Sequence, residues 1–274
     1  MISYRDIQIQ GSSNINIHLD VFFPKNKDNI IPVIFSHGFK GFKDWGFFNE
    51  IGKYFAEKDL FFLKFNFSHN GVKFSNDYFT DLELFGNNNL SKELDDLGFI
   101  IDWLYSSKFS ELIDFSKLTL IGHSRGGGIS MLKASEDIRV KKLITWGSVY
   151  DFYSRPLFAR EKKCKETGYI EIFNTRTKQK MPINYQFFKD LKNNKNRLSI
   201  KKNFNIKVPT LLIHGQDDKS ISVDEAISFS RYFDVKCLII KSTGHTFDAK
   251  HPKGKVIPSK LLEVLDMTLK FVKS

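Results

Sequence analysis

The sequence is organised around one stretch, Lys117-Leu118-Thr119-Leu120-Ile121-Gly122-His123-Ser124-Arg125-Gly126-Gly127-Gly128. The apolar residues before Gly122 predict a short buried strand, and the apolar residues after Gly128 recur at helical spacing. Ser124 therefore lies at a predicted strand-to-helix turn, inside the Gly-x-Ser-x-Gly spacing of a nucleophile elbow. Such a turn crowds the backbone, and glycine two residues before and two residues after the serine relieves the crowding. The helix that follows directs its first amides towards the same space, where they stabilise negative charge.

The segments around this stretch alternate between strand and helix patterns. Strands are predicted at 3–10, 15–23, 30–35, 60–67, 117–121, 140–146, 209–214 and 235–240, and helices at 44–58, 90–105, 124–135, 223–233 and 259–272. No regular structure is predicted for residues 72–89, and Ser91 is predicted to cap the helix that follows. The first two strands flank a polar turn and predict an antiparallel hairpin. The strand at 60–67 is apolar on both faces, which together with the alternation predicts an α/β fold with a mostly parallel central sheet flanked by helices.

The alternation is interrupted between the strands at 140–146 and 209–214. A chain of 274 residues can bury one sizeable core. We therefore predict a single domain over residues 1–274, with a cap inserted at about 150–205. Two helical patches are predicted in this cap, at 156–166 and 184–194.

The predicted cap is strongly basic. Between Arg155 and Lys202 there are 14 Lys and Arg residues against four Asp and Glu residues, so this segment carries most of the formal net charge of +11. A solvated lysine-rich surface explains such a run. The alternative is a basic surface above the site that attracts anionic substrates or a membrane surface.

Several classes of protein are disfavoured by the sequence. No apolar run reaches the roughly 18 residues of a membrane span, and the first residues do not form a secretory signal, so we expect a cytoplasmic protein without stable membrane insertion. The two cysteines, Cys164 and Cys237, are expected to be free thiols. The seven histidines are scattered and no nucleotide-binding or nucleic-acid-binding motif is present. We expect no metal, no other cofactor and no nucleic-acid partner, and the sequence does not determine the oligomeric state.

A serine hydroxyl is a weak nucleophile at neutral pH and needs an adjacent base. Two loops that could supply the partners of Ser124 follow the predicted strands at 209–214 and 235–240. In an open α/β sheet, such loops meet at the carboxyl edge of the strands. His245 lies in the second loop, so we predict that it is the general base. His123 adjoins the serine but lies in the wrong direction along the elbow to serve it, and we expect it to contribute to the substrate-binding surface.

The first of these loops, His214-Gly215-Gln216-Asp217-Asp218, supplies the acid that would orient the imidazole of the base. We predict that Asp218 has this role, with Asp217 as the alternative that caps the loop instead. His214 is expected to be a packed, hydrogen-bonded residue at the end of its strand. The resulting order of serine, acid and histidine is the one that this kind of sheet uses.

Acyl transfer also requires donors for a developing oxyanion. One donor is predicted to be the backbone N–H of Arg125, the residue after the nucleophile. The other is predicted to be the backbone N–H of Phe39, in the loop Ser36-His37-Gly38-Phe39 that follows an earlier strand. The Phe39 side chain is also expected to line the substrate pocket.

With these residues in place, the sequence resembles the α/β-hydrolase superfamily with a serine nucleophile, over almost its whole length. The resemblance rests on Ser36-His37-Gly38-Phe39, Phe65-Asn66-Phe67-Ser68-His69-Asn70-Gly71, Gly122-His123-Ser124-Arg125-Gly126-Gly127, His214-Gly215-Gln216-Asp217-Asp218 and Gly244-His245-Thr246-Phe247. These motifs look most like the branch of dienelactone-hydrolase-like proteins and cinnamoyl and feruloyl esterases. In that branch the acid lies four residues after the histidine of the His-Gly pair, which corresponds to Asp218. Dienelactone hydrolases proper use cysteine where this chain has Ser124, which favours an esterase.

The resemblance implies a hydrolase that cleaves a small-molecule carboxylic ester through an acyl-enzyme on Ser124, and the basic cap makes anionic esters a candidate class. A thioesterase or a peptidase of the same fold is the alternative. An aminopeptidase would need acidic residues in the cap to bind a free amine, and this cap is basic. A third interpretation is a catalytically silent binding protein on a hydrolase scaffold.

Overall fold

The computed structural model describes residues 1–72 and 78–274. Its strands are β1 (Ile2–Gln10), β2 (Asn16–Phe23), β3 (Ile31–Ser36), β4 (Leu60–Asn66), β5 (Thr119–His123), β6 (Lys142–Trp146), β7 (Tyr169–Asn174), β8 (Gln179–Asn184), β9 (Thr210–Gly215) and β10 (Lys236–Ile240). Its α-helices are α1 (Phe48–Glu57), α2 (Leu82–Gly86), α3 (Leu90–Ser106), α4 (Arg125–Glu136), α5 (Glu161–Thr167), α6 (Gln186–Asn193), α7 (Ile200–Asn203), α8 (Val223–Phe233) and α9 (Ser259–Lys273). Short 3-10 turns occupy Ser12–Asn14, Ser110–Leu112, Phe115–Lys117 and Pro156–Arg160.

In the described residues, eight strands form one sheet in the order β1-β2-β4-β3-β5-β6-β9-β10. β2 pairs antiparallel with β1 and with β4, and every other pair in this sheet is parallel. The predicted hairpin and the mostly parallel sheet are therefore confirmed. Because strand side chains alternate between faces, Leu120 packs in the apolar cluster with α3 and α4, and its neighbour Ile121 packs in the cluster with α1 and α9. Helices thus cover both faces of the sheet.

Three predictions near the start of the chain are corrected by the structure. The helix predicted at 44–58 begins only at Phe48, because the chain first turns at Gly46, whose φ is +55°. The N-cap of α3 is Asn89 and not Ser91, since the Asn89 side chain accepts the N–H of Lys92. Residues 82–86, predicted to lack regular structure, form the short helix α2; residues 73–77 of the same predicted loop lie outside the described residues.

The segment between β6 and β9 contains a hairpin that the sequence pattern did not predict. β7 and β8 pair antiparallel as a separate two-stranded sheet. Ile170 on β7 is buried while Tyr169 and Phe173 are exposed, which is the alternation of a strand with one covered face. The period was hidden by charged residues and by Pro182, which removes a backbone donor and is tolerated only at a strand edge. The two helical patches predicted in this segment are found as the turn at 156–160 followed by α5, and as α6.

A group of charged side chains lies below the loop that follows β3, and we call it the buried ion cluster. Its members are Arg5, Asp6, Asp20, Lys43, Asp44 and Lys64. The fully buried Lys64 ammonium lies 2.6 Å from Asp20 on β2 and 2.8 Å from Asp44 in the loop. Burial opposes the charge on Asp20, but Lys64 and Lys43 outweigh it and hold the pKa of this carboxyl below its ordinary value. The cluster fastens the loop to β2 and β4, and the N–H of Lys43 adds a bond of 2.6 Å to Asn66 at the end of β4.

We expect Asp20→Asn to lower the free energy of unfolding by about 3–5 kcal/mol at pH 7, because it removes the fully buried carboxylate that Lys43 and Lys64 share and leaves their buried positive charge incompletely compensated. A carboxyl with a depressed pKa contributes stability that is present above its ordinary pKa of 3.8 and is lost as the pH falls through its folded value. Urea denaturation should therefore show wild-type stability declining below about pH 4, and the variant declining less steeply.

The matched control is Asp59→Asn. The Asp59 carboxylate pairs with Lys27 at the surface, where the two side chains are 50% and 44% exposed. Solvent screens such an exposed pair, so its loss should change the stability little. Equal losses in the two variants would contradict a stabilising role for the buried ion cluster.

Candidate active site

Ser124 lies in a strained turn between β5 and α4. Its φ is 56° and its ψ is −122°, a conformation that L residues rarely adopt. The turn is held by the Ser124 N–H, which donates to the carbonyl of Trp146 at 2.9 Å. A Cβ at Gly122 would lie 2.3 Å from the carbonyl oxygen of Gly126, and a Cβ at Gly126 would lie 2.4 Å from the carbonyl oxygen of Ser36. Glycine is therefore required on both sides of the serine.

The loop that follows β3 lies directly against this turn. A Cβ at Gly38 would lie only 2.7 Å from the Ser124 Cβ, so the next residue, Phe39, is brought beside the serine. Within residues 1–72 and 78–274, neither the Phe39 N–H nor the Arg125 N–H donates to a protein acceptor. Both predicted donors are therefore without a protein acceptor in the described residues.

His245 and Asp218 are brought together by the loops that follow β10 and β9. His245 Nδ1 lies 2.7 Å from Asp218 Oδ2. The other carboxylate oxygen of Asp218 accepts the backbone N–H groups of Ser220 at 2.8 Å and Ile221 at 3.0 Å. Burial alone would raise the pKa of Asp218, but the hydrogen bonds from His214 and His245 outweigh it and hold the pKa well below its ordinary value. The acid is therefore charged and fixed in orientation at neutral pH.

Asp217 and His214, which lie close to Asp218 in the chain, have surroundings different from those of Asp218. Asp217 is exposed and its backbone N–H donates to Thr243, so the carboxylate against His245 belongs to Asp218. His214 is fully buried, as the sequence predicted, and its Nε2 lies 3.0 Å from the carbonyl of Ile221. The sequence did not indicate that the same nitrogen also lies 3.2 Å from Asp218 Oδ2. Asp218 is thus flanked by two imidazole rings.

His123 contacts His245, in the loop that follows β10. Its Nε2 donates to the backbone carbonyl of His245 at 3.0 Å, and the two rings lie 4.8 Å apart between centroids. Burial lowers the pKa of His123 to about 3, so the ring stays neutral and keeps this donor role at physiological pH. In the described part of the chain no hydrogen bond joins Ser124 Oγ to His245, although both residues line the same small cavity.

Two cavities open at Ser124. The larger has a volume of about 410 Å³, and the smaller has a volume of about 130 Å³. The larger is lined mainly by apolar and aromatic residues: Phe39, Lys40, Leu90, Ser124, Arg125, Val149, Phe152, Arg155, Pro156, Leu157, Phe158, Arg160, Ile172, Phe187, Ser220 and Ile221. The smaller is lined by Gly38, Phe39, Lys40, Gly41, Trp45, Phe48, His123, Ser124, His245 and Thr246. Phe39 and His123, both predicted to bind substrate, therefore line space next to the serine.

An ion pair behind the serine was not predicted from the sequence. Arg125 Nη2 lies 2.8 Å from Glu93 on α3, which is itself buried. The Arg125 guanidinium also lies 4.1 Å from the centroid of the Phe39 ring, a distance typical of a cation–π contact. Burial raises the pKa of Glu93, although Arg125 opposes this effect. In the sequence, Glu93 is part of an ordinary helical pattern, so only the packing of α3 against α4 reveals its ion pair with Arg125.

Residues 1–72 and 78–274 contain no group of three or more His, Cys, Asp or Glu residues arranged to hold a metal ion. No helix in these ranges has the length and apolar character needed to span a bilayer. Cys164 and Cys237 are free thiols, as predicted.

The positive φ of Ser124 predicts an unusual order of stability among its variants. Ser124→Gly should be about 1 kcal/mol more stable than Ser124→Ala, because glycine adopts this conformation without strain and alanine does not. Thermal and urea unfolding of the two variants measure the difference. At Ser130, inside α4, the order should reverse, since glycine in a helix interior is about 1 kcal/mol less favourable than alanine. The same order at both positions would contradict the strain at Ser124.

No family model matches the sequence, and no curated protein matches it. Solved structures do match it over nearly its whole length. DcsB, in complex with its substrate analogue, is 18% identical with a TM-score of 0.71, and the match covers 97% of this chain and 98% of that one. Est1E from Butyrivibrio proteoclasticus is 16% identical with a TM-score of 0.69, over 99% and 100% of the two chains. An alpha-beta serine hydrolase homologue from Coxiella burnetii is 17% identical with a TM-score of 0.63, over 98% of each chain. These similarities and the sheet order confirm that this chain has the α/β-hydrolase fold.

Proposed function

We propose that this protein is a serine hydrolase that cleaves carboxylic esters through an acyl-enzyme on Ser124. The observation that carries the proposal is the 2.7 Å hydrogen bond between His245 and the buried Asp218, because His245 lines the same cavity as Ser124. A strained, accessible serine, a histidine that lines the same cavity and a buried carboxylate bonded to that histidine have the arrangement expected of a nucleophile, a base and an orienting acid. Among the structural neighbours, Est1E has been solved with ferulic acid bound.

In the proposed mechanism, Ser124 Oγ attacks the ester carbonyl carbon while His245 Nε2 accepts the serine proton. Asp218 holds His245 in the tautomer with a proton on Nδ1 and stabilises the imidazolium that forms. The tetrahedral intermediate collapses when the imidazolium gives its proton to the alkoxy oxygen, which leaves as the alcohol. Water then attacks the acyl-enzyme with His245 again as base, releases the acid and restores the serine.

The backbone N–H groups of Phe39 and Arg125 are the proposed donors to the oxyanion. Losing one such donor typically costs about 3–4 kcal/mol of transition-state stabilisation. Preorganised donors are effective because they do not have to move during the reaction. The contact between the Arg125 guanidinium and the Phe39 ring, together with the Glu93 ion pair, would hold both donors in place.

We also propose that residues 150–205 act as a cap within one domain of residues 1–274. Leu157, Ile172 and Phe187 from this segment line the larger cavity together with Ser124. Closing the site in this way excludes water from the acyl group and strengthens the electrostatic interactions there. The substrate is a small-molecule ester, and the mechanism needs only side chains and backbone groups of this chain.

An anionic substrate is supported by Lys40, which lines both cavities. In the described residues its ammonium group has no acidic partner. Burial lowers the pKa of Lys40, and the nearby Arg176 lowers it further. A substrate carboxylate would offset both unfavourable effects.

A fluorophosphonate probe tests the proposal directly. The wild type should be labelled and Ser124→Ala should not, because the probe reacts only with an activated serine.

Asp218→Asn should lower kcat for a p-nitrophenyl ester about 10⁴-fold, since the wrong tautomer of the base is favoured. Asp217→Asn is the matched control and should stay near wild type. A wild-type protein that neither reacts with the probe nor turns over esters would instead be a silent binding protein, and a larger loss in Asp217→Asn would show that the acid is misassigned.

The anionic preference predicts a specific response to salt. Raising the ionic strength from about 0.01 M to 1 M shortens the Debye length from about 30 Å to 3 Å. We expect kcat/KM to fall for an ester that carries a carboxylate. It should stay constant for the analogous ester in which a neutral carboxamide replaces that carboxylate. The same decline with both esters would mean that the positive charge near the site only solvates the surface.

A further inference from the structure

Ser124 lies between two cavities of unequal size, and the difference bears on which substrates fit. The larger cavity, of about 410 Å³, has roughly three times the volume of the smaller one, of about 130 Å³. Phe39, Lys40 and Ser124 line both cavities. An ester whose carbonyl carbon lies at Ser124 can therefore direct its two halves into the two cavities.

The two cavities also differ in which catalytic groups they contain. In the described residues, His245 and its neighbour Thr246 line the smaller cavity and not the larger one. Leu157 and Ile172, from the segment between β6 and β9, line the larger cavity and not the smaller one. The proposed base thus lies on the side of the smaller cavity.

The chemistry of acyl transfer assigns the halves of the ester to these two sides. The imidazolium that forms on attack must give its proton to the alkoxy oxygen of the leaving group. That oxygen must come within hydrogen-bond reach of His245, so the alcohol lies on the side of the smaller cavity. The acyl group remains for the larger cavity. The geometry thus assigns the substrate, given the proposed esterase function, as the ester of a long, mainly apolar acid with a short alcohol; a carboxylate on either half would lie near Lys40, which lines both cavities.

The lining of the larger cavity agrees with an apolar acyl chain. Leu90, Val149, Phe152, Ile172 and Ile221 present hydrocarbon surface to it, so each methylene added to the acid leaves water for an apolar surface. This transfer should raise kcat/KM about fourfold per methylene until the cavity is full. The smaller cavity includes Trp45 and Phe48, which leave little depth for an alcohol longer than a few carbons.

Two series of neutral esters test this assignment on the wild-type protein. One series varies the acid from acetate to dodecanoate as methyl esters, and the other varies the alcohol from methanol to octanol as acetates. Acid release is measured at constant ionic strength. We expect kcat/KM to rise along the first series before it levels off, and to fall along the second beyond short alcohols. A preference for short acids and long alcohols would overturn the assignment while leaving the esterase proposal intact. Turnover of neither series, with no fluorophosphonate labelling, would overturn both.

A pair of tryptophan variants tests the cavity itself. Leu157→Trp should reduce kcat/KM for the methyl ester of decanoic acid at least tenfold and shift the preferred acid to a shorter one, while the order of preference among alcohols stays as in the wild type. Ile206→Trp is the matched control, because Ile206 is 64% exposed and lines neither cavity. Both profiles of that variant should match the wild type. A Leu157→Trp variant that changes the alcohol order and leaves the acid order unaltered would place the acyl group in the smaller cavity.

Discussion

The arrangement at the edge of the sheet depends on one steric constraint, the turn that holds Ser124 between β5 and α4. The serine has a φ of 56°, and the neighbouring backbone segments occupy the space that side chains at the flanking glycines would need. A Cβ at Gly122 or Gly126 would approach a carbonyl oxygen to within 2.4 Å, far inside van der Waals contact. The missing side chains let β3, β5 and α4 come together, and this close approach brings the Phe39 loop beside the serine.

Buried charge holds the loops that surround this turn. The buried ion cluster fastens the loop after β3, Glu93 fastens Arg125, and two imidazole rings flank Asp218. Each of these contacts is costly to break, because a buried charge without its partner is strongly destabilising. Loops that would otherwise be variable are therefore held near fixed positions, as a preorganised site requires. The same region of the molecule also contains the two cavities beside Ser124.

Much of the fold could be predicted because its central strands are apolar throughout and its helices have a clear period. The predictions failed where that signal is weak. The hairpin of β7 and β8 mixes lysines with a proline, and α2 is only five residues long. Ser91 also fitted the sequence pattern of an N-cap, but Asn89 caps α3. The capping residue is determined by where the chain enters the helix.

The sequence by itself determined the α/β alternation, the elbow at Ser124 and the candidate partners on the loops after β9 and β10. These features follow from local spacing, which is fixed by the covalent chain. Only the tertiary structure decided that Asp218 and not Asp217 contacts His245, that Glu93 pairs with Arg125, and that the cavities beside the serine differ in volume. Those relations join residues far apart in the chain, and their distances are set by the order of strands in the sheet and by the packing of helices upon it.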